Sequence, residues 1–276
     1  MPYCKTRDGV SLFYNDWGTG RPVVLIHGWP LNADFWEPQS TCLASNGFRV
    51  ISYDRRGFGR SDQPWSGYDY DTLADDLDTL MRHLDLREAT LIGFSMGGGE
   101  VARCMSRHGT ARVAQAVLMS AVTPSLKKSA ENPEGIDESV FGALLKALED
   151  DRAGFLADFR EGFFNGASSG SAVSRGVLDW YSFLASQASL RATVECARAW
   201  ADTDFRGDLA RMTVPTLILH GSADINVPPE ITAHLAARLI VNARYIEYEG
   251  SGHAIGITDR ERVNADVLAF LREAGR

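Results

Sequence analysis

The feature that most constrains the fold of this chain is an apolar run that ends in a glycine-rich turn around one serine. Leu91 and Ile92 lead into the pattern Gly-x-Ser-x-Gly, in which Gly93 and Gly97 flank Ser95. In so sharp a turn, bulky side chains at the two glycines would collide with neighbouring backbone. The turn presents the serine hydroxyl at the start of a helix, whose unpaired amides and positive dipole end favour an oxyanion. Strand, turn and helix in this order predict that Ser95 is a nucleophile.

Short aliphatic runs recur along the chain, and helical patterns alternate with them. Continuous apolar strands are typical of a parallel sheet that is covered on both faces. We predict such strands at Val23–Ile26, Val50–Ile51, Thr90–Ile92, Ala116–Met119 and Thr216–Leu219. The clearest helix is expected at Tyr70–Leu84, where leucines form one stripe, and Ser11–Trp17 alternates like an antiparallel edge strand. The chain is therefore predicted to be an α/β protein with a mostly parallel central sheet flanked by helices.

The alternation stops between about Pro124 and Arg211. This stretch has no convincing buried strand, but helical patterns at Val140–Leu148, Phe155–Phe164 and Val177–Trp200. We interpret residues 124–211 as a helical cap inserted into a core formed by residues 1–123 and 212–276. Most aromatic side chains of the cap are expected to pack it onto the core, and a few to line an apolar pocket over the serine.

Composition narrows the partners and the compartment. The net charge of −8 disfavours nucleic acid or an anionic membrane as partner, so a weakly polar small substrate is expected. Four scattered cysteines predict neither a disulfide framework nor a zinc site. The N-terminal residues lack the apolar segment of a signal peptide, and no stretch is long enough to cross a bilayer. We expect a cytoplasmic protein.

A serine nucleophile needs a base and an orienting acid, which in this architecture follow it in the order Ser, Asp or Glu, His. Asp224 lies just after the strand Thr216–Leu219, where functional residues of open α/β sheets collect. His253 follows the last predicted strand, Tyr245–Tyr248, on a glycine-containing loop. We predict that His253 is the general base and Asp224 its orienting acid. His220, at a strand end, is expected to make a structural hydrogen bond.

A tetrahedral oxyanion needs two amide donors. One is expected from Met96, the residue after the nucleophile, and the other from the loop His27–Pro30 after an early strand. Pro30 has no amide hydrogen, so the donor of this loop is predicted to be Trp29. His27 is expected to hold the loop.

In combination these motifs resemble the α/β-hydrolase group of bacterial aryl esterases and cofactor-free haloperoxidases, also called perhydrolases. The resemblance covers nearly the whole chain and is carried by His27–Pro30, Tyr53–Asp62, Gly93–Gly99, Asp224 and His253. It implies the triad Ser95, Asp224 and His253, the oxyanion amides of Trp29 and Met96, and a substrate pocket formed by Trp29, Pro30, Val122, Phe159 and Phe163. It also implies that no metal or cofactor is needed, and that the chain forms a homo-oligomer, a trimer or a dimer of trimers.

The function expected on these grounds is hydrolysis of small aryl or alkyl carboxylic esters through an acyl-enzyme, with a side activity that forms peracids from hydrogen peroxide. Our hypothesis for Pro30 is that it moves the Trp29 carbonyl toward the acyl-enzyme, where it accepts a hydrogen bond from peroxide. The alternative hypothesis, with equal weight, is that Pro30 only rigidifies a turn. Two further functions stay open: a lactamase or amidase acting on small cyclic amides, and a ligand-binding sensor with little turnover.

Overall fold

The sheet contains the predicted strands and extends them at both ends. The computed structural model describes residues 2–164 and 173–273. The strands in these ranges are β1 (Tyr3–Lys5), β2 (Ser11–Trp17), β3 (Pro22–Ile26), β4 (Arg49–Tyr53), β5 (Ala89–Phe94), β6 (Val113–Met119), β7 (Thr216–Gly221) and β8 (Ala243–Tyr248). They form one sheet in the order β1-β2-β4-β3-β5-β6-β7-β8, which is parallel from β4 to β8. The predicted α/β class with a mostly parallel sheet is confirmed.

One detail of the sheet prediction is wrong. Ser11–Trp17 is antiparallel, as expected, but it is not at the edge, because β2 pairs with β1 on one side and with β4 on the other. The true edge strand, Tyr3–Lys5, has three residues. A strand this short carries too few alternations to be recognised by its pattern.

Helices cover the sheet. In the described ranges they are α1 (Glu37–Ser45), α2 (Tyr70–His83), α3 (Met96–His108), α4 (Glu138–Phe163), α5 (Arg175–Ser186), α6 (Leu190–Asp202), α7 (Arg206–Leu209), α8 (Ala233–Leu239), α9 (Ile255–Thr258) and α10 (Arg260–Glu273). The helix expected at Tyr70–Leu84 is confirmed; it begins after Asp69, whose side chain accepts a hydrogen bond from the Thr72 amide as an N-cap. None of these helices combines the length and the apolar character needed to cross a membrane.

The segment interpreted as a cap holds α4, α5 and α6, which we call the cap helices, and the short α7. The pattern Val177–Trp200, predicted as one helix, is two helices in the structure. The reason is Ser189: its hydroxyl caps α6 through the Ala192 amide, and its own amide donates to the Gly57 carbonyl in the core. The boundaries 124–211 stay a prediction, and residues 165–172 within them lie outside the described part of the chain.

The parallel strands bring four chemically important loops to one edge. Because their carboxyl ends lie side by side, the residues that follow β3, β5, β7 and β8 meet there. These loops contain Trp29, Ser95, Asp224 and His253.

Candidate active site

Ser95 lies in a strained turn between β5 and α3. Its φ is 53° and its ψ is −118°, a backbone conformation that residues other than glycine rarely adopt. A Cβ on Gly93 would lie 2.4 Å from the Gly97 carbonyl oxygen, and one on Gly97 would lie 2.3 Å from the carbonyl oxygen of Ile26. Both flanking glycines are therefore required by contact with backbone, as the motif predicts.

The structure brings the three residues of the predicted triad into one chain of contacts. His253 Nε2 is 3.0 Å from Ser95 Oγ, and His253 Nδ1 is 2.7 Å from Asp224 Oδ2. Because the carboxylate only accepts, Nδ1 carries the proton and Nε2 is left to accept from the serine hydroxyl. His253 is buried, and the rings of Phe94 and Phe163 pack against it at 5.0 and 5.2 Å between centroids. This is the arrangement in which an imidazole removes a proton from a serine.

Asp224 is held on both of its oxygens. Oδ1 accepts from the amides of Asn226 and Val227 at 3.0 and 2.9 Å, while Oδ2 faces His253 and, at 3.1 Å, His220 Nε2. Burial alone would raise the pKa of this carboxyl, but the contacts with His253 and His220 outweigh burial and hold the pKa below its ordinary value of 3.8. Asp224 is thus a carboxylate wherever the protein is folded near neutral pH.

Two neighbours of the triad were not assigned to it from the sequence. His220 was expected to make a structural hydrogen bond; its Nε2 is 2.8 Å from the Val227 carbonyl and also contacts Asp224, so Nε2 carries its proton. Ser120 Oγ donates to the carbonyl of His253 at 3.0 Å. The available signal was position, because each residue ends or follows a central strand at the edge where the triad lies.

The two amides predicted for an oxyanion hole have no hydrogen-bond acceptor among the described residues. Met96 is the first residue of α3, so its N–H has no partner within the helix. In the described part of the chain, neither this N–H nor that of Trp29 donates to a protein acceptor. The Trp29 loop also approaches Ser95 closely, since a Cβ on Gly28 would lie 3.0 Å from Ser95 Cβ.

A cavity of about 190 Å³ opens over Ser95 and His253. Apart from these two residues and Asn226, its wall is apolar. It is formed by Trp29, Val122, Leu126, Ile136, Val140, Phe141, Leu144, Phe159, Trp200, Ile225 and Val227. Among the described residues, no carboxylate, lysine or arginine contributes to this wall. Such a cavity suits an uncharged organic group.

Three of the five residues predicted for the pocket, Trp29, Val122 and Phe159, line this cavity, and two do not. Phe163 is fully buried, and its ring is packed against His253, Phe94 and Tyr181. Pro30 is buried inside the turn that the Leu31 amide closes on the Gly28 carbonyl. Five other residues of the segment 124–211 line the cavity, and the sequence contains no signal for them beyond their apolar side chains. They are Leu126, Ile136, Val140, Phe141 and Leu144.

A family model for the alpha/beta hydrolase fold matches residues 21–259 of the chain. The chain belongs to this α/β-hydrolase family.

Its relatives include proteins named for two activities. Non-heme chloroperoxidase CPO-A1 of Kitasatospora aureofaciens is 46% identical over 99% of this chain and 100% of its own length. Bifunctional esterase/perhydrolase DCH of Acinetobacter calcoaceticus is 41% identical over 99% of this chain and 100% of its own length. Among solved structures, a bromoperoxidase from Bacillus anthracis is similar with a TM-score of 0.95 at 42% identity, covering 98% of this chain and 99% of that chain. The predicted resemblance to the haloperoxidase and esterase group is confirmed.

In the described part of this α/β-hydrolase, two hydrogen bonds join cap helices to loops of the site, in addition to the packing of Phe163 on His253. The Trp29 indole Nε1 donates to the Thr193 carbonyl of α6 at 2.9 Å. Asn226 Nδ2 donates to the Gly162 carbonyl of α4 at 3.0 Å. The loop of the predicted oxyanion amide and the loop of Asp224 are each tied to a cap helix.

Proposed function

We propose that this protein is a serine hydrolase of small, uncharged carboxylic esters, with Ser95 as nucleophile, His253 as general base and Asp224 as the residue that orients His253. The observation that carries the proposal is the contact chain from Asp224 through His253 to Ser95, opening on an apolar cavity beside two unpaired amides. The names of the esterase and perhydrolase relatives support the same reaction class.

In the first half-reaction, Ser95 Oγ attacks the ester carbonyl carbon while His253 Nε2 takes the hydroxyl proton. The carbonyl oxygen becomes an oxyanion, which the amides of Trp29 and Met96 stabilise. When the carbon–oxygen bond to the alcohol breaks, the imidazolium returns its proton to the leaving oxygen. Asp224 stabilises the imidazolium between these two steps, and an acyl-enzyme on Ser95 remains.

In the second half-reaction, His253 removes a proton from the incoming nucleophile. Water releases the carboxylic acid, and hydrogen peroxide releases the peracid. A peracid passes one oxygen to a halide ion, giving the carboxylate and the hypohalous acid. We propose that this chemistry connects ester hydrolysis with the haloperoxidase names of the relatives.

The decisive experiment compares p-nitrophenyl acetate turnover by the wild type, by Ser95→Ala and by Ser186→Ala, an exposed serine of α5 that serves as matched control. We expect turnover to vanish in Ser95→Ala alone. Equal activity in the two alanine variants, or no turnover by a folded wild type with any ester, would contradict the proposal. In the latter case cyclic amides and a ligand-binding screen come next.

Pro30 is proposed to set the balance between water and peroxide. The carbonyl of Trp29, the residue before it, accepts no hydrogen bond from the described residues, so it is available to an incoming nucleophile. Pro30→Leu is expected to lower the ratio of peracid to carboxylic acid formed at a fixed peroxide concentration. An unchanged ratio would leave Pro30 as a residue that only rigidifies the turn.

The homo-oligomer, the cytoplasmic location and independence from metal and cofactor stay predictions of this proposal. Light scattering on the purified chain tests the trimer or dimer of trimers. Turnover after exhaustive dialysis against a chelator tests the independence from metal.

A further inference from the structure

His27 is the first residue of the predicted oxyanion loop and is completely buried. The backbone N–H of Arg55 donates to His27 Nε2 at 3.0 Å. A nitrogen that accepts carries no proton, so the proton of the neutral ring is on Nδ1. Nδ1 is 2.8 Å from the carbonyl oxygen of Gly28, to which it donates. Burial and the neighbouring Arg55 cation hold the pKa of His27 well below 6.5, which keeps the ring in this neutral form.

The carbonyl that His27 holds belongs to the same peptide unit as the Trp29 amide. In a trans peptide the C=O and the N–H are rigidly coplanar and point in opposite directions. The Gly28–Trp29 bond is not one of the two cis bonds of the described chain, which are Trp29–Pro30 and Thr123–Pro124. Anchoring the Gly28 carbonyl on one side therefore sets the direction of the Trp29 N–H on the other.

We propose that His27 is a positioning residue for the oxyanion hole: by holding the Gly28 carbonyl through Nδ1–H, it aims the Trp29 amide at the developing oxyanion. The inference rests on the proposed function and adds a role that the triad does not contain. His27 is not among the described residues that line the cavity, and its described hydrogen-bond partners are Gly28 and Arg55, so it acts through the peptide.

A buried cluster formed by His27, Arg55 and Glu100 links the two predicted oxyanion donors. Arg55 Nη2 donates to the His27 carbonyl at 2.8 Å, and Arg55 Nε donates to Glu100 Oε2 at 2.8 Å. Glu100 belongs to α3, the helix that begins with Met96. Helix α3 also touches the loop directly, because a Cβ on Gly97 would lie 3.0 Å from the His27 carbonyl oxygen. The cluster thus sets the Trp29 peptide in a frame that includes the helix of the second amide.

A second donor must be separated from His27. The Leu31 amide also donates to the Gly28 carbonyl, at 3.0 Å. If that bond alone holds the peptide, changing His27 will alter packing but not catalysis.

Two amide substitutions distinguish the nitrogens of the ring. In His27→Asn the side-chain amide nitrogen lies near the position of Nδ1, so it keeps a donor for the Gly28 carbonyl. In His27→Gln the side-chain oxygen lies near the position of Nε2, where it accepts from the Arg55 amide, and the Gly28 carbonyl is left without its side-chain donor. Both variants place one neutral amide in the same buried site, so each serves as the matched control of the other.

We expect His27→Asn to keep kcat for p-nitrophenyl acetate within a few-fold of wild type. We expect His27→Gln to lose about tenfold or more in kcat with little change in KM, compared with the ~10²–10³-fold lost when an oxyanion donor is removed outright. The affinity for an arylboronic acid, which forms a tetrahedral adduct on serine, should fall in parallel in His27→Gln only. Thermal unfolding of both variants establishes that the folded enzymes are compared.

Equal kcat and equal boronate affinity in the two variants, whether both high or both low, would overturn the inference. Should His27→Gln fail to fold, His27→Ala, which lacks both nitrogens, is expected to show the same loss in kcat and boronate affinity, and retention of both by this variant would also overturn it. Failure of the proposed function looks different, because Ser95→Ala would then keep its activity.

Discussion

The two walls of the cavity are built by different forces. On the core side the wall contains Ser95 and His253, and contacts of 2.7 to 3.0 Å between polar atoms join them to each other and to Asp224 behind His253. On the cap side, the walls are rings packed against rings, such as Phe159 against Trp29 at 5.5 Å and Phe141 against Trp200 at 5.9 Å between centroids. Hydrogen bonds depend on direction and apolar packing does not. We therefore expect the core wall to determine the reaction. We expect the cap wall to determine which substrate shapes enter, and to tolerate substitution better than the core wall.

The largest effect should come from substitution of Asp224, the carboxylate behind His253. Asp224→Asn keeps the shape but replaces an acceptor facing His253 with an amide, which favours the wrong tautomer of the imidazole. We expect kcat to fall by about 10⁴-fold, as in other triads. Asp150→Asn, an exposed carboxylate of α4 paired with Lys146, is the control and should keep full activity. A loss of less than tenfold in Asp224→Asn would contradict the role given to the core wall.

The next comparison uses one glycine on the core side of the cavity, Gly28, and one in the cap helix α4, Gly142. In Gly28→Ala the new Cβ would lie 2.7 Å from the Phe94 ring and 3.0 Å from Ser95 Cβ, so the Phe94 ring or the predicted oxyanion loop must shift. We expect a loss of at least about tenfold in kcat together with about 1–3 kcal/mol of stability. In Gly142→Ala, within α4, nothing lies within 4 Å of the new Cβ. That variant should keep its kcat and gain up to about 1 kcal/mol of helix stability. Kinetics and denaturant unfolding measure both.

Substitution in the cap wall should change selectivity rather than rate. Phe159→Ala removes a ring that lines the cavity and contacts Trp29. We expect kcat for the acetate ester to stay within tenfold, while the preference moves toward esters with longer acyl chains. A competition assay with acetate and hexanoate esters reads this out. A loss for all chain lengths alike would show that the cap ring serves the reaction itself.

The smallest effect concerns stability against pH. His27 is neutral when buried, whereas an unfolded histidine binds a proton below pH 6.5, so acid favours the unfolded state. The unfolding free energy should therefore fall as the pH drops below about 6.5, by at most about 1.4 kcal/mol per pH unit from this residue. His27→Asn is expected to flatten this slope between pH 6.5 and 5. An identical slope in the variant, measured by urea unfolding, would show that the ring is protonated in the fold.

Much of the core wall could be predicted from the sequence. Ser95 was predicted as the nucleophile because Gly93 and Gly97 flank it in a sharp turn. Only glycine fits at those two flanking positions. Asp224 and His253 were identified because chain order and strand ends restrict the candidates. For His220 the sequence predicted only a structural hydrogen bond, because a contact with Asp224 depends on how the loop after β7 folds back.

The cap was predicted less well, and for a physical reason. The break between α5 and α6 depends on Ser189, whose amide binds the core at Gly57. Phe163 carries the same apolar signal as Phe159, yet it packs behind the triad against His253 while Phe159 faces the cavity. An apolar pattern states that a side chain is buried, but not which neighbour buries it.

The sequence by itself determined the α/β class and indicated the proposed nucleophile and its two proposed partners, because tight turns and strand ends depend on residues adjacent in the chain. Only the tertiary structure decided which aromatic rings form the cavity wall and that the Gly28 carbonyl is held by His27. Those relations join residues that are far apart in the chain or depend on a hydrogen-bond direction, and packing in three dimensions selects among arrangements that a linear pattern leaves equal.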